Sequence, residues 1–261
     1  MNLIVIIGRK TIETARELGK LVFMVKNVFF WLFNSRLETE EVIRQTLKIG
    51  VESIFVSALT SLFTGMVLSL QTGYSTVKLF NEPLYVGTIV GFSLVRELSP
   101  VLTAVIVAGR AGSNITAELG TMAVTEQINA LYTLGTNPYS YLLIPRYIAF
   151  MIALPVLTLM GNIIGTLGGA FVAYIKFSLS PVIFFDDIFQ YMDTNTLLHG
   201  LSKTFFFAFT LATISCYKGL YATGGAEGVG RATTQSVVLS IIMIFAIDYF
   251  AGLFLIVVGV T

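Results

Sequence analysis

The sequence holds very little with which to ligate or crosslink. Its one cysteine, Cys216, excludes an intrachain disulfide framework and a thiolate metal site within one chain. Its one histidine, His199, has no HExxH or Cys/His company, so no zinc signature is present and His199 reads as a membrane-boundary residue. Charged residues make up 12%, against about 25% in soluble domains. The net charge of +1 with no long Lys/Arg run excludes a nucleic-acid partner. No GxxxxGK[ST] occurs: Gly200-Leu201-Ser202-Lys203-Thr204 lacks the Gly-Lys step, so ATP binding by a P-loop is not expected. A GxSxG nucleophile elbow is missing too. Gly224 to Gly230 matches a dinucleotide loop only superficially, because no strand precedes it, and it reads as a tight turn. The chain is therefore not expected to be an enzyme or to carry a cofactor or metal.

What the chain has is apolar length. Hydrophobic residues reach 55% and the mean hydropathy is +0.83, which places it in a bilayer. Five spans are predicted, at about Ile49–Leu70, Leu84–Ala108, Tyr147–Ile175, Leu197–Tyr217 and Thr233–Val260. The third has 29 consecutive uncharged residues, about 43 Å of helix at 1.5 Å per residue, with Pro155 inviting a kink. The expected fold is an all-α membrane protein, with an N-terminal segment over 1–48 and a transmembrane domain over 49–261.

Within the N-terminal segment, Asn2 to Gly8 is apolar but precedes its basic residues, the reverse of a secretory signal, so no cleaved leader is expected. Leu21 to Phe33 is too short to span, is broken by Lys26 and Asn27 and carries the only tryptophan, Trp31. It reads as an interfacial helix. Eight basic residues between Arg9 and Lys48, with Arg110, Arg146, Lys218 and Arg231, fall on one side of five crossings, leaving Lys78, Lys176 and Lys203 on or toward the other. By the positive-inside rule the N-terminus is cytoplasmic, the Asp186-Asp187-Asp193 loop is external and an amphipathic helix at 117–134 is internal.

Ionisable residues inside a span cost about 2.5 to 3.5 kcal/mol at the helix centre on insertion scales. Arg96 and Glu97 lie mid-span, just before Pro100, which bends or locally opens the helix. They suit either an interhelical ion pair or a polar patch in a transport cavity. Lys203 of the fourth span either completes that patch or snorkels to the outer interface. Glu52 and Asp248 sit nearer span ends. In the 117–134 helix, Ile128, Leu131 and Tyr132 share one face while Glu126, Gln127 and Asn129 give polar edges, the pattern of a helix lying in a partner's groove.

The motifs Arg96-Glu97-Leu98-Ser99-Pro100-Val101-Leu102-Thr103, Ala108-Gly109-Arg110-Ala111-Gly112-Ser113, Ala117-Glu118-Leu119-Gly120-Thr121-Met122, Thr125-Glu126-Gln127-Ile128-Asn129-Ala130-Leu131 and Gly225-Ala226-Glu227-Gly228-Val229-Gly230-Arg231-Ala232-Thr233-Thr234 resemble the MlaE family of permeases. The resemblance covers nearly the whole chain from about Leu47. It departs from the family pattern at Ser99, where glycine is common, and at Asn129, where aspartate is common.

The resemblance implies the membrane subunit of an ABC-type lipid transporter that works with a separate ATPase and an MCE-domain protein. The helix at 117–134 then becomes the coupling helix docking on the ATPase, through Glu118, Glu126, Gln127, Ile128 and Leu131. Two copies are expected to pair, their first, second and fifth spans enclosing acyl chains while Arg96, Glu97 and Lys203 meet a phospholipid headgroup. A bacterial inner membrane or a plastid inner envelope is the expected location. The rival readings are an ion-coupled secondary transporter with Glu97 as the ion-binding carboxylate, and a structural membrane scaffold whose buried charges are all packing pairs.

Overall fold

Proline and small residues, more than hydropathy, decide how these helices are shaped and how closely they approach. The computed structural model describes residues 3–34, 37–83 and 85–257; the expected span ends at Leu84 and Val260 lie outside them. Its helices are α1 (Leu3–Asn34), α2 (Thr39–Phe80), α3 (Val86–Val124), α4 (Gln127–Thr133), α5 (Tyr139–Phe177), α6 (Pro181–Tyr191), α7 (Thr194–Leu220) and α8 (Gly225–Val257), with no strand among the described residues. Five of them, α2, α3, α5, α7 and α8, are long and apolar enough to cross a membrane. Each contains most or all of one predicted span. They run past the predicted limits because a hydropathy edge marks where polar residues begin, whereas backbone hydrogen bonding carries the helix on: α2 starts ten residues before Ile49, within the segment assigned to the N-terminal part.

Two wide π-turns each end two positions before a proline. In α3, Leu94–Leu98 is π-helical and the Ser99 N–H donates to the Leu94 carbonyl. In α5, Tyr139–Leu143 is π-helical and the Ile144 N–H donates to Tyr139. Pro100 and Pro145 have no N–H to give to the carbonyl four residues back, so the ladder slips by one residue ahead of each. A third π-turn, Ala108–Gly112, carries Arg110. The kink expected at Pro155 is not an interruption: α5 stays helical through it.

The tightest packing joins α2 to α5. Ser53, Ser57, Ser61, Gly65, Ser69 and Gly73 form a buried stripe at every fourth residue of α2, an arrangement that lets membrane helices approach to backbone contact. A Cβ on Gly65 would lie 1.8 Å from the Gly165 carbonyl oxygen. The main core gathers α3, α5 and α7 around Phe150, Leu154, Phe207 and Leu211. By contrast α8 is the least buried of the five long helices, 17% against 28% for α2 and half or more for the others.

The bundle has two dissimilar ends. One carries α4, the α7–α8 turn and α1. The N-terminal segment is longer than expected, a continuous helix of 32 residues, because Lys26 and Asn27 are ordinary helix residues that interrupt hydropathy without breaking hydrogen bonds. It packs Met24 and Val28 on the core, and its Glu17 accepts a 2.5 Å bond from the Tyr217 hydroxyl. The other end carries the α2–α3 turn and α6, whose Phe184 and Ile188 are buried while Val182 and Phe189 are exposed.

Candidate functional site

Two places on this scaffold gather the sequence-predicted residues. The first begins with the π-turn at Leu94–Leu98, which widens α3 and places Arg96 and Glu97 side by side, Arg96 Nε 4.0 Å from Glu97 Oε1. Lys203 of α7 turns inward to meet them. Its Nζ donates to Glu97 Oε2 at 2.5 Å and to Asp248 Oδ1 of α8 at 3.0 Å. The lysine is 1% exposed and Glu97 is 45% exposed, so the cation is sealed in and one of its carboxylates faces outward. Snorkelling to the interface is therefore not what Lys203 does, since two carboxylates hold it inside the bundle.

Asp248 is the residue that sequence reasoning left out of this site. The signal was present: it is the only acidic or basic side chain between Ala232 and Thr261. Counted from the helix ends beside α6, Lys203 and Asp248 each lie nine residues in and Glu97 eleven, about 14 to 17 Å deep at 1.5 Å per residue. Three helices thus deliver their charges to one level. His199, one turn from Lys203, is fully buried, and neither ring nitrogen has a hydrogen-bond partner among the described residues. The helix turns it into the bundle because it shares a face with Lys203.

Beside the cluster, Leu98 and the α2 residues Thr60, Phe63, Thr64, Val67, Leu68 and Gln71 line an open, mostly apolar groove of about 610 Å³. Charge and hydrocarbon surface are therefore adjacent on one π-turn, Glu97 on one side and Leu98 on the other.

The second place is at the α4 end. The amphipathic helix expected over 117–134 is two pieces. Residues to Val124 continue α3, then Glu126 takes the left-handed conformation at φ 62 and α4 begins at Gln127. A left-handed non-glycine residue costs on the order of 1 kcal/mol, here accompanied by a hydrogen bond from the Asn129 side-chain amide to the Glu126 carboxylate. Ile128 and Leu131 do share a face, but they pack on the protein's own core. The surface left open is the opposite edge: Glu126, Gln127, Ala130 and Leu134 are exposed.

Glu118 sits above this break, in the last turns of α3. Its carboxylate takes Lys48 of α2 at 2.9 Å and Arg146 of α5 at 3.1 Å. Arg146 is nearly fully buried and its guanidinium also donates to the Leu142 carbonyl one turn back. Glu118 thus ties three long helices together instead of presenting its charge to a partner. Nearby, Arg110 pairs with Glu52 at 2.5 Å. Of the glycine-rich segment, only Gly224 and Gly225 form the turn, at φ 94 and 67; Ala226 to Gly230 are already the first turns of α8. Outside the spans, hydrogen bonds from Lys20 and Tyr217 hold the Glu17 carboxyl below the usual range. Among the described residues no three His, Cys, Asp or Glu side chains converge as a metal would require.

Residues 42–254 match the family model described as Permease MlaE. A probable ABC transporter permease protein of Rickettsia typhi (strain ATCC VR-144 / Wilmington) is 41% identical over 95% of this chain and 96% of its own length. One from Synechocystis sp. (strain ATCC 27184 / PCC 6803 / Kazusa) is 37% identical over 87% of this chain and 86% of its own. One from Pyropia yezoensis is 36% identical over 93% and 89%.

Proposed function

This chain belongs to the MlaE permease family and is an ABC transporter permease, an integral membrane subunit that implies an ATPase partner, and from that premise we propose that its cargo is a phospholipid or a related lipid. The observation that carries the reading is the adjacency of Glu97, half exposed on a buried Lys203, to the apolar groove at Leu98. A lipid needs hydrocarbon volume for its chains and a few fixed charges for its headgroup, and a single turn of α3 presents both. Arg96, Glu97 and Lys203 contact or organise the headgroup, with Asp248 holding Lys203 in place.

A second copy completes the chamber. The weakly buried helices α2 and α8 show broad apolar faces, including Phe55, Phe63, Ile242, Phe245 and Phe250, which enclose acyl chains where two protomers meet. The basic residues at the α4 end, with those of α1, support a cytoplasmic or stromal position for that end. There the ATPase docks on the exposed edge of α4, through Glu126 and Gln127. Glu118, Ile128 and Leu131 transmit its motion from within the fold. An MCE-domain protein receives or delivers lipid at the α6 end. Bacterial and algal relatives support a bacterial inner membrane or a plastid inner envelope.

The test is ATP-dependent lipid transfer by the reconstituted permease and ATPase. Glu97→Ala and Arg96→Ala are expected to slow transfer while leaving ATPase assembly intact. Unchanged transfer removes these residues from the site, and transfer without any ATPase removes the mechanism.

A further inference from the structure

Behind α4 lies a cleft of about 380 Å³ whose walls come from four parts of the chain: Lys20 of α1, Glu126 and Asn129 at the α3–α4 break, Tyr132 and Tyr139 on either side of the α4–α5 connection, and Tyr221 with Thr223 in the α7–α8 turn. Its size is at the small end of ligand pockets, about 300 to 1,000 Å³, too small for a helix and suited to a single long side chain.

The charges around it are unequal. Lys20 is already engaged, 2.8 Å from Glu17 and over the Tyr221 ring at 5.5 Å. Among the described residues, Glu126 is held only by the neutral Asn129 amide. Burial and the neighbouring Tyr139 push the Tyr221 phenol up to about 12 and raise Tyr132 as well, so these two hydroxyls stay protonated and uncharged. The cleft therefore offers one carboxylate without a cationic partner, several hydroxyls and aromatic faces.

We propose that this cleft is the socket for one arginine side chain of the ATPase subunit. The inference rests on the docking reading above and specifies its chemistry. A guanidinium fits better than an ammonium because it is planar, stacks on aromatic rings and offers several donors in a fixed fork. One such side chain would touch the end of α3, the start of α5 and the turn after α7 together, so a displacement of the ATPase reaches three long helices through one contact. Glu126, exposed and left-handed in backbone, is among the residues lining this socket.

The experiment uses the full chain in nanodiscs and the ABC ATPase of the same organism, with affinity measured at low and high salt. Glu126→Gln keeps the size and the backbone and removes only the charge; it is expected to weaken binding roughly tenfold and to flatten the salt dependence, without lowering the melting temperature. Glu126→Arg is expected to abolish binding, and exchanging one groove arginine of the ATPase for glutamate is expected to restore it. Leu134→Asp, on the exposed edge outside the cleft, separates the two readings. If Leu134→Asp abolishes binding while Glu126→Gln leaves it unchanged, docking stands and the socket is rejected. If neither variant changes binding, docking at α4 falls and the socket with it. Weaker binding by Glu126→Gln with unaltered salt dependence, and no rescue by any charge exchange, also overturns the socket.

Discussion

Lys203 and Asp248, 45 residues apart, meet at 3.0 Å inside the bundle, and this contact fastens α8 to α7 at the level where α3 brings Glu97. A lysine sealed in the bundle needs at least one buried carboxylate beside it. Lys203→Met leaves Asp248 without its counterion and is expected to destabilise the protein by about 3 to 5 kcal/mol. Glu97→Gln keeps the Lys203–Asp248 pair and removes a half-exposed partner, so its cost is expected to be about 0 to 1 kcal/mol. Thermal unfolding in detergent ranks the two, and equal shifts would contradict the arrangement.

Pro100→Ala restores the N–H that the Arg96 carbonyl lacks and is expected to let the Leu94–Leu98 π-turn relax to α-helix. Losing one residue of slip rotates Arg96 and Glu97 by about 100° relative to the rest of α3. Lipid transfer is expected to fall while the melting temperature holds or rises, because proline is about 3 kcal/mol less favourable than alanine inside a helix. Transfer at the original rate would show that the wide turn does not position the site.

Gly65→Val places side-chain atoms where the Gly165 carbonyl lies, at a point where even a Cβ would be 1.8 Å away. The helices must separate, with an expected loss of at least about 1 to 3 kcal/mol. Gly109→Ala, where a Cβ meets nothing within 4 Å, is expected to be close to neutral. The difference in melting temperature between the two variants measures the backbone contact.

Glu17 gives a pH test of how α1 is attached. Its folded pKa lies below the ordinary glutamate value, so its bonds to Lys20 and Tyr217 stabilise docking above that value and are lost as pH falls through the folded pKa. Trp31, partly buried on the core, is expected to report loosening below about pH 4.5, and Glu17→Gln is expected to remove the transition. A transition that persists in that variant would assign it to another group.

Much of this architecture was readable in the residues. Five apolar runs, isolated charges at Arg96, Glu97 and Lys203, and a proline after the first two give the spans, the level of the cluster and the local opening of α3. The stripe from Ser53 to Gly73 was harder to see, because hydropathy registers serine and glycine as weak signals while close packing depends on their small volume. The break at Glu126 is invisible to periodicity: glutamate carries no marker of a left-handed backbone, and Ile128 and Leu131 keep helical spacing whether they face a partner or their own core. Asp248 was placed near a span end because a single carboxylate in a long apolar run reveals its depth only when its partner on another helix is known.

The bare backbone contact between Gly65 and Gly165 has a mechanical meaning. With no side chain between them to flex or change rotamer, α2 and α5 form one stiff plate, and sliding either past the other would drive carbonyl oxygen into carbon. Movement must therefore come from elsewhere, and α8, the least buried of the long helices and pinned by Asp248 nine residues from its end, has the least packing to give up against that fixed frame.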